Sequence, residues 1–209
     1  RKLRTPVKSE LIVPSREMAE AIAAEWDAQE EKIDPLTMPV TRSANAAIDK
    51  VGPMHTEVAA LVSEYGGTDL LCYRADSPEG LVKRQSEAWD PLLEWAADTL
   101  SAPLKSTTGV MHVEQDAAAL ENLAKRVSDM DKFQLAAFHD LVGMSGSLII
   151  GFATIHGFLP VPELWRRSRI DEDWQVEQWG EDDEASATEA GKREGFEHAA
   201  RFYFMVKKG

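Results

Sequence analysis

The sequence predicts an α+β chain that is mostly α. Apolar residues recur at helical spacing from Thr41 almost to the end, and only the first 14 residues look β. The 209 residues are 44% hydrophobic, enough for a real core, and 28% charged residues with six Trp fit a soluble protein. A net charge of -13 argues against nucleic acid or an anionic membrane as partner, since both would repel it. Cys72 is the single cysteine, so an internal disulfide and a cysteine-based zinc site are excluded.

Residues 1–14 open the chain, with Leu11-Ile12-Val13 expected as a short strand closed by Pro14. Arg1-Lys2-Leu3-Arg4-Thr5-Pro6 carries no apolar run after its basic residues, so it does not read as a signal peptide, and a chain shortened at its start is expected. Ser15 then caps a helix with Met18, Ala21, Ile22 and Trp26 on its inner stripe and Glu17 in its first turn. Pro35 and Pro39 lie in a link suited to a domain boundary, and the chain divides there into 1–36 and 37–209.

Helices are predicted over 43–50, stopped by Gly52-Pro53, and over 54–65, ended by Gly66-Gly67. Residues 69–74 are short and apolar, strand or helix start. Ser77-Pro78-Glu79 reads as a cap, a proline at the first helical position and a first-turn acid. The helix it opens carries Leu81, Trp89, Leu92, Leu93 and Trp95, with a kink expected at Pro91. Residues 104–113 read as an extended connector and 116–129 as an amphipathic helix.

Within residues 133–159, the stretch 141–159 holds no charged side chain except a protonatable His156, and its 19 residues reach transmembrane length. Gly143, Gly146, Gly151 and Gly157 with Ser145 and Ser147 lower its hydrophobicity. A buried central helix is therefore expected, with Gly143, Ser147 and Gly151 letting neighbouring helices approach. After Pro160 and Pro162, residues 163–179 form an acidic helix ended by Gly180. Residues 184–206 form the last, with Phe196, Ala199, Ala200, Tyr203 and Phe204 on its core side. Lys207 and Lys208 would complement its dipole.

The acidic helix stands out. Eight carboxylates and no basic residue lie between Asp171 and Glu184. At about 100° per residue, Glu172 falls on an apolar line with Val176 and Trp179, while Asp171, Gln175, Gln178 and Asp182 make a polar stripe. The plain reading is an acidic amphipathic helix; the sharper one is that Glu172 is kept among apolar neighbours to meet something.

Catalytic patterns are missing. None of His55, His112, His139, His156 and His198 follows a Glu by three residues, as a carboxylate-bridged di-metal bundle requires. Gly143-Met144-Ser145-Gly146 lacks the Walker lysine and the dinucleotide glycine spacing, and no nucleophile elbow occurs. His139-Asp140 leaves one enzymatic alternative, a helical-bundle hydrolase or transferase using His139 and nearby carboxylates. Among the tryptophans, Trp26 and Trp89 are read as structural. Trp26→Arg is expected to lower the soluble yield of the protein itself, and normal yield and stability would overturn that reading.

Several segments carry a resemblance. They are Ala24-Glu25-Trp26-Asp27-Ala28-Gln29, Met38-Pro39-Val40-Thr41-Arg42-Ser43-Ala44-Asn45-Ala46-Ala47-Ile48-Asp49, Asp69-Leu70-Leu71-Cys72-Tyr73-Arg74 and Gln85-Ser86-Glu87-Ala88-Trp89-Asp90-Pro91-Leu92. With Asp171-Glu172-Asp173-Trp174-Gln175 and Trp179-Gly180, they resemble the "ATP-twelve" family of assembly chaperones for the catalytic head of F-type ATP synthase. The resemblance implies a small N-terminal β-rich domain, incomplete here, and a larger α-helical orthogonal bundle. It also implies a non-enzymatic role: binding the free alpha subunit and shielding its subunit interface until the beta subunit replaces it.

Glu172, Asp171, Gln175 and Trp179 are then the expected partner-binding residues. No cofactor, metal, nucleic acid or stable membrane insertion is expected. A monomer is expected, in the bacterial cytoplasm or, in a eukaryote, the mitochondrial matrix.

Overall fold

Helix starts and stops set the layout of the computed structural model, which describes residues 3–206. The Ser15 hydroxyl accepts from the Met18 amide at 3.1 Å and opens α1 (Arg16–Asp27), which buries Met18 and Ile22. The next helix, α2 (Pro39–Ala46), begins four residues before the expected start at Ser43. Its cap comes from α1: the Glu25 carboxylate accepts from the amides of Val40 (2.7 Å) and Thr41 (2.8 Å) and from the Thr41 hydroxyl (2.7 Å). One wide turn, Ala47–Val51, continues it to Gly52.

The expected strand at Leu11-Ile12-Val13 is not formed. The Leu11 amide reaches the Leu3 carbonyl and Arg4 bridges Glu10 antiparallel, but the Ile12 amide turns back on the Glu10 carbonyl and ends the ladder. Thr5 in this segment is buried and donates to Asp49 at 2.8 Å. Regular β structure lies elsewhere among the described residues: β1 (Tyr73–Arg74) pairs in parallel with β2 (Thr107–Thr108). The two sequence windows that read as ambiguous or extended thus make the sheet.

The helix α3 (His55–Ser63) precedes β1, and between the strands α4 (Glu79–Leu100) runs unbroken through Pro91 and buries Leu81, Gln85, Ala88, Trp89, Leu92, Ala96 and Leu100. Ser77 does not cap it; its hydroxyl donates to Asp76 instead, and Pro78 holds the N-cap position without a side-chain bond. Then come α5 (Ala117–Ser128), capped by Asp116 and packed on α3, and α6 (Lys132–Ser145), opened by an Asp131/Gln134 capping box.

The apolar stretch is two helices where one was expected. Gly146, at φ 72°, closes α6 with its amide on the Val142 carbonyl, and Ser147 caps α7 (Leu148–Ile155) by accepting from Ile150 at 3.0 Å. Seven of the eight α7 residues are buried, so α7 is central to the core although only about 12 Å long. Among the described residues no helix is long and apolar enough to cross a membrane. Of the three small residues expected at close approaches, only Gly151 acts so: a Cβ there would lie 2.8 Å from Val142 Cγ2 and 3.1 Å from Phe138 Cε2. Gly143 faces open space and Ser147 is a cap.

Asp69 pins this junction from afar. Its Oδ1 accepts from the Leu71 amide (3.0 Å) and the Ser147 hydroxyl (2.8 Å), and its Oδ2 from the Ile149 amide (3.0 Å). It is fully buried, and that burial outweighs the donors and pushes its carboxyl up to about 6.

The acidic helix is also divided, at Arg169, into α8 (Val161–Ser168) and α9 (Ile170–Trp179). Asp182 then caps α10 (Asp183–Met205), which packs along α6 more extensively than any other helix pair and sets Phe196 against Trp165 at 5.4 Å. Phe202 fills the core there; Phe204, expected inward, is half exposed. Lys207 and Lys208 lie outside the described residues.

Candidate functional site

The site is built on α9, ten residues long with only Ile170 buried. Asp171, Glu172 and Asp173 fill its first turn, where carboxylates complement the positive end of the helix dipole. What seats it is α4. Gln85, buried, donates from Nε2 to Asp171 Oδ1 at 2.6 Å, while its Oε1 accepts from the Ala75 amide. Arg84 donates two bonds to the Glu177 carboxylate (2.8 and 2.9 Å), and its guanidinium stacks 5.0 Å from the centre of the Trp174 ring. The Arg84 hydrogen bonds hold Glu177 below the usual carboxylate range. Trp174 also needs the glycine at position 80: a Cβ there would meet its Cη2 at 2.9 Å.

Asp171, Trp174 and Glu177 therefore face α4, and the opposite arc carries Glu172, Val176 and Trp179. Val176 is 40% exposed and Trp179 84%. Glu172 is exposed and pairs with Arg169 at 2.9 Å, whose guanidinium lies 4.9 Å from the Trp165 ring centre. Gln175 is exposed on the flank. Of the four residues expected to bind a partner, Glu172, Gln175 and Trp179 are thus open to solvent, while the Asp171 carboxylate is engaged inside the protein.

Beside this arc, between α8, α9 and the start of α10, runs a cleft of about 540 Å³. Asp173 lines it with Glu189, which accepts from Trp165 Nε1 at 3.2 Å. Burial first, then the neighbouring carboxylates of Glu189, Glu172 and Glu177, raise Asp173 above the ordinary aspartate range.

The remaining expectations lie apart from α9. Trp89 is fully buried and donates to the Arg167 carbonyl at 2.7 Å. Trp26 is half-buried against the core, and its Nε1 is buried with no hydrogen-bond partner among the described residues. His139 Nδ1 meets Asp140 Oδ1 at 3.0 Å, a surface pair in which the hydrogen bond to Asp140 raises the histidine pKa. Burial pushes the Cys72 thiol up to about 12, which leaves it without nucleophilic thiolate. Among the described residues no three His, Cys, Asp or Glu side chains gather as metal ligands.

Arg84 and Gly80 had no local sequence signal, and Gln85 stood in a family-like segment without a role. Arg84 and Gln85 reach α9 across 93 and 86 residues, so only folding reveals them.

The ATP12 chaperone protein family matches over residues 1–97. A mitochondrial protein of Schizosaccharomyces pombe, atp12, is 27% identical over 193 residues, covering 86% of this chain. The chain spans 66% of that relative's length. The crystal structure of Atp12 from Paracoccus denitrificans is 50% identical and superposes with a TM-score of 0.97, covering 99% of this chain and 89% of that one. A crystal structure of an Agrobacterium tumefaciens protein is 39% identical, with a TM-score of 0.92 over 98% of this chain and 77% of that one.

Proposed function

This chain belongs to the ATP12 chaperone family, and from that premise we propose that it is an assembly chaperone for the catalytic head of F-type ATP synthase. In this reading it binds the free alpha subunit, shields the surface that will face the beta subunit, and is displaced when the beta subunit arrives. The family is one of chaperones and not of enzymes, which sets aside the hydrolase or transferase alternative at His139.

The observation that carries the reading is the outward arc of α9. An 84% exposed Trp179 beside a 40% exposed Val176 is apolar surface on a helix whose other face is anchored. An unassembled ring subunit exposes apolar interface of its own, and two such surfaces lower their free energy by covering each other without any hydrolysis. Glu172, at the edge of the arc, supplies a carboxylate for a basic group on the rim of the client, and the net charge of -13 steers a basic surface toward it.

Purified alpha subunit, kept in solution by the chaperone in an aggregation assay, tests this. Trp179→Ala should weaken binding by at least about 2 kcal/mol, roughly 30-fold, as truncation of a central aromatic does. Glu172→Lys should abolish protection while leaving the fold intact, because the side chain is exposed and its partner Arg169 also stacks on Trp165. Full protection by both variants would remove α9 from the client surface.

A further inference from the structure

Resting on the reading that α9 carries the client surface, we infer that Arg84 is a positioning residue for client capture: it sets the rotation of α9 about its own axis and so keeps Val176 and Trp179 facing outward. The helix cannot do this unaided. It has ten residues, one of them buried, and an isolated helix of that length is marginal in water. Its pose is therefore decided by what holds it.

Three side chains at i, i+3 and i+6 face α4, and each is received there. Asp171 takes the Gln85 amide, Trp174 lies on Gly80, and Glu177 takes both arms of Arg84. Arg84 is the one residue of the three that engages two of them, because its plane stacks on Trp174 while its edge pairs with Glu177. A turn of one residue, about 100°, would break both contacts and carry Trp179 round from the outward arc. Lysine could satisfy neither geometry, having a point charge in place of a planar fork.

Position and stability separate here. The Arg84–Glu177 pair is substantially exposed, with side chains 37% and 49% accessible, and an exposed pair contributes little to global folding. Removing it should loosen α9 and leave the rest of the protein melting as before.

The test compares Arg84→Glu, and Arg84→Glu combined with Glu177→Arg, with the wild-type chain. In the free protein, Arg84→Glu should speed hydrogen exchange of the α9 amides while those of α4 and α10 keep their protection. Binding of purified alpha subunit should fall by about tenfold if one-tenth of the molecules hold the competent pose, since apparent affinity scales with that fraction. The exchanged pair should restore both. Wild-type α9 exchange or wild-type binding in Arg84→Glu overturns the inference, as does failure of the exchanged pair to restore either.

Trp179→Ala separates the two claims. Weak binding by Trp179→Ala with normal binding by Arg84→Glu defeats the positioning role alone; normal binding by Trp179→Ala defeats the client surface. If the wild-type chain fails to bind the alpha subunit, the function falls and the exchange measurement decides the positioning role. Should Arg84→Glu not fold, Glu177→Gln on the exposed partner is measured in the same two ways.

Discussion

Replacing Asp69 by alanine should lower the free energy of unfolding by about 3–5 kcal/mol, because the Leu71 amide, the Ser147 hydroxyl and the Ile149 amide all lose their acceptor in a dry interior. The loss is concentrated at the α6–α7 junction, where Ser147 opens the central helix. Urea unfolding measures it, and a change below about 1 kcal/mol would show that the junction stands without the carboxylate.

The same residue makes stability depend on pH, with a sign opposite to that of a salt-bridged aspartate. Burial raises its folded pKa to about 6, against the ordinary aspartate value of 3.8. Between those values the folded chain holds a proton that the unfolded chain has released, so this contribution is full below about pH 4 and is lost as pH rises through 6. At 1.36 kcal/mol per unit the span is about 3 kcal/mol. Asp69→Asn cannot titrate, so the difference between wild type and Asp69→Asn should shift across pH 4–6 and be flat above it. A pH-independent difference would refute the perturbed titration.

Trp89→Ala should cost about 3–5 kcal/mol, the range for emptying a large buried aromatic site. Trp89 is fully buried on α4, donates to the Arg167 carbonyl on α8, and carries the Arg74 guanidinium 5.2 Å from its ring centre. Trp89→Phe should fall between, since it keeps most of the volume but leaves that carbonyl without its donor, at about 1–3 kcal/mol. Thermal and urea unfolding of both variants check the order. Trp89→Ala melting with the wild type would contradict the packing.

Several helix ends with an adjacent cap were legible, although Ser77 does not cap α4 and the local caps at Gly146 and Ser147 went unread. Ser15, Asp116 and Gly180 mark ends that the structure keeps, since a cap is a contact between near neighbours in the chain. Other boundaries were misplaced, whether a distant group or a local cap sets them. Glu25 starts α2 early, and the breaks at Gly146 and Arg169 divide stretches whose apolar or acidic composition continues across them. At Leu11-Ile12-Val13 the composition favoured a strand, but the Ile12 amide turns back on Glu10 and no ladder continues.

The candidate site divides the same way. Periodicity placed Glu172, Val176 and Trp179 on one line of a helix, and α9 keeps them there because helical spacing is a property of consecutive residues. Which way that line points was not in the spacing, for an apolar line is as ready to enter the core as to meet a partner. Asp171 shows the difference: it read as part of a solvated stripe, and it is the residue that Gln85 holds from inside. The sequence by itself determined the mostly helical class, the composition of the acidic helix and the chaperone family. The tertiary structure alone decided that α4 takes the Asp171, Trp174 and Glu177 side and leaves Trp179 in water, because that choice is made by contacts between residues 86 and 93 positions apart.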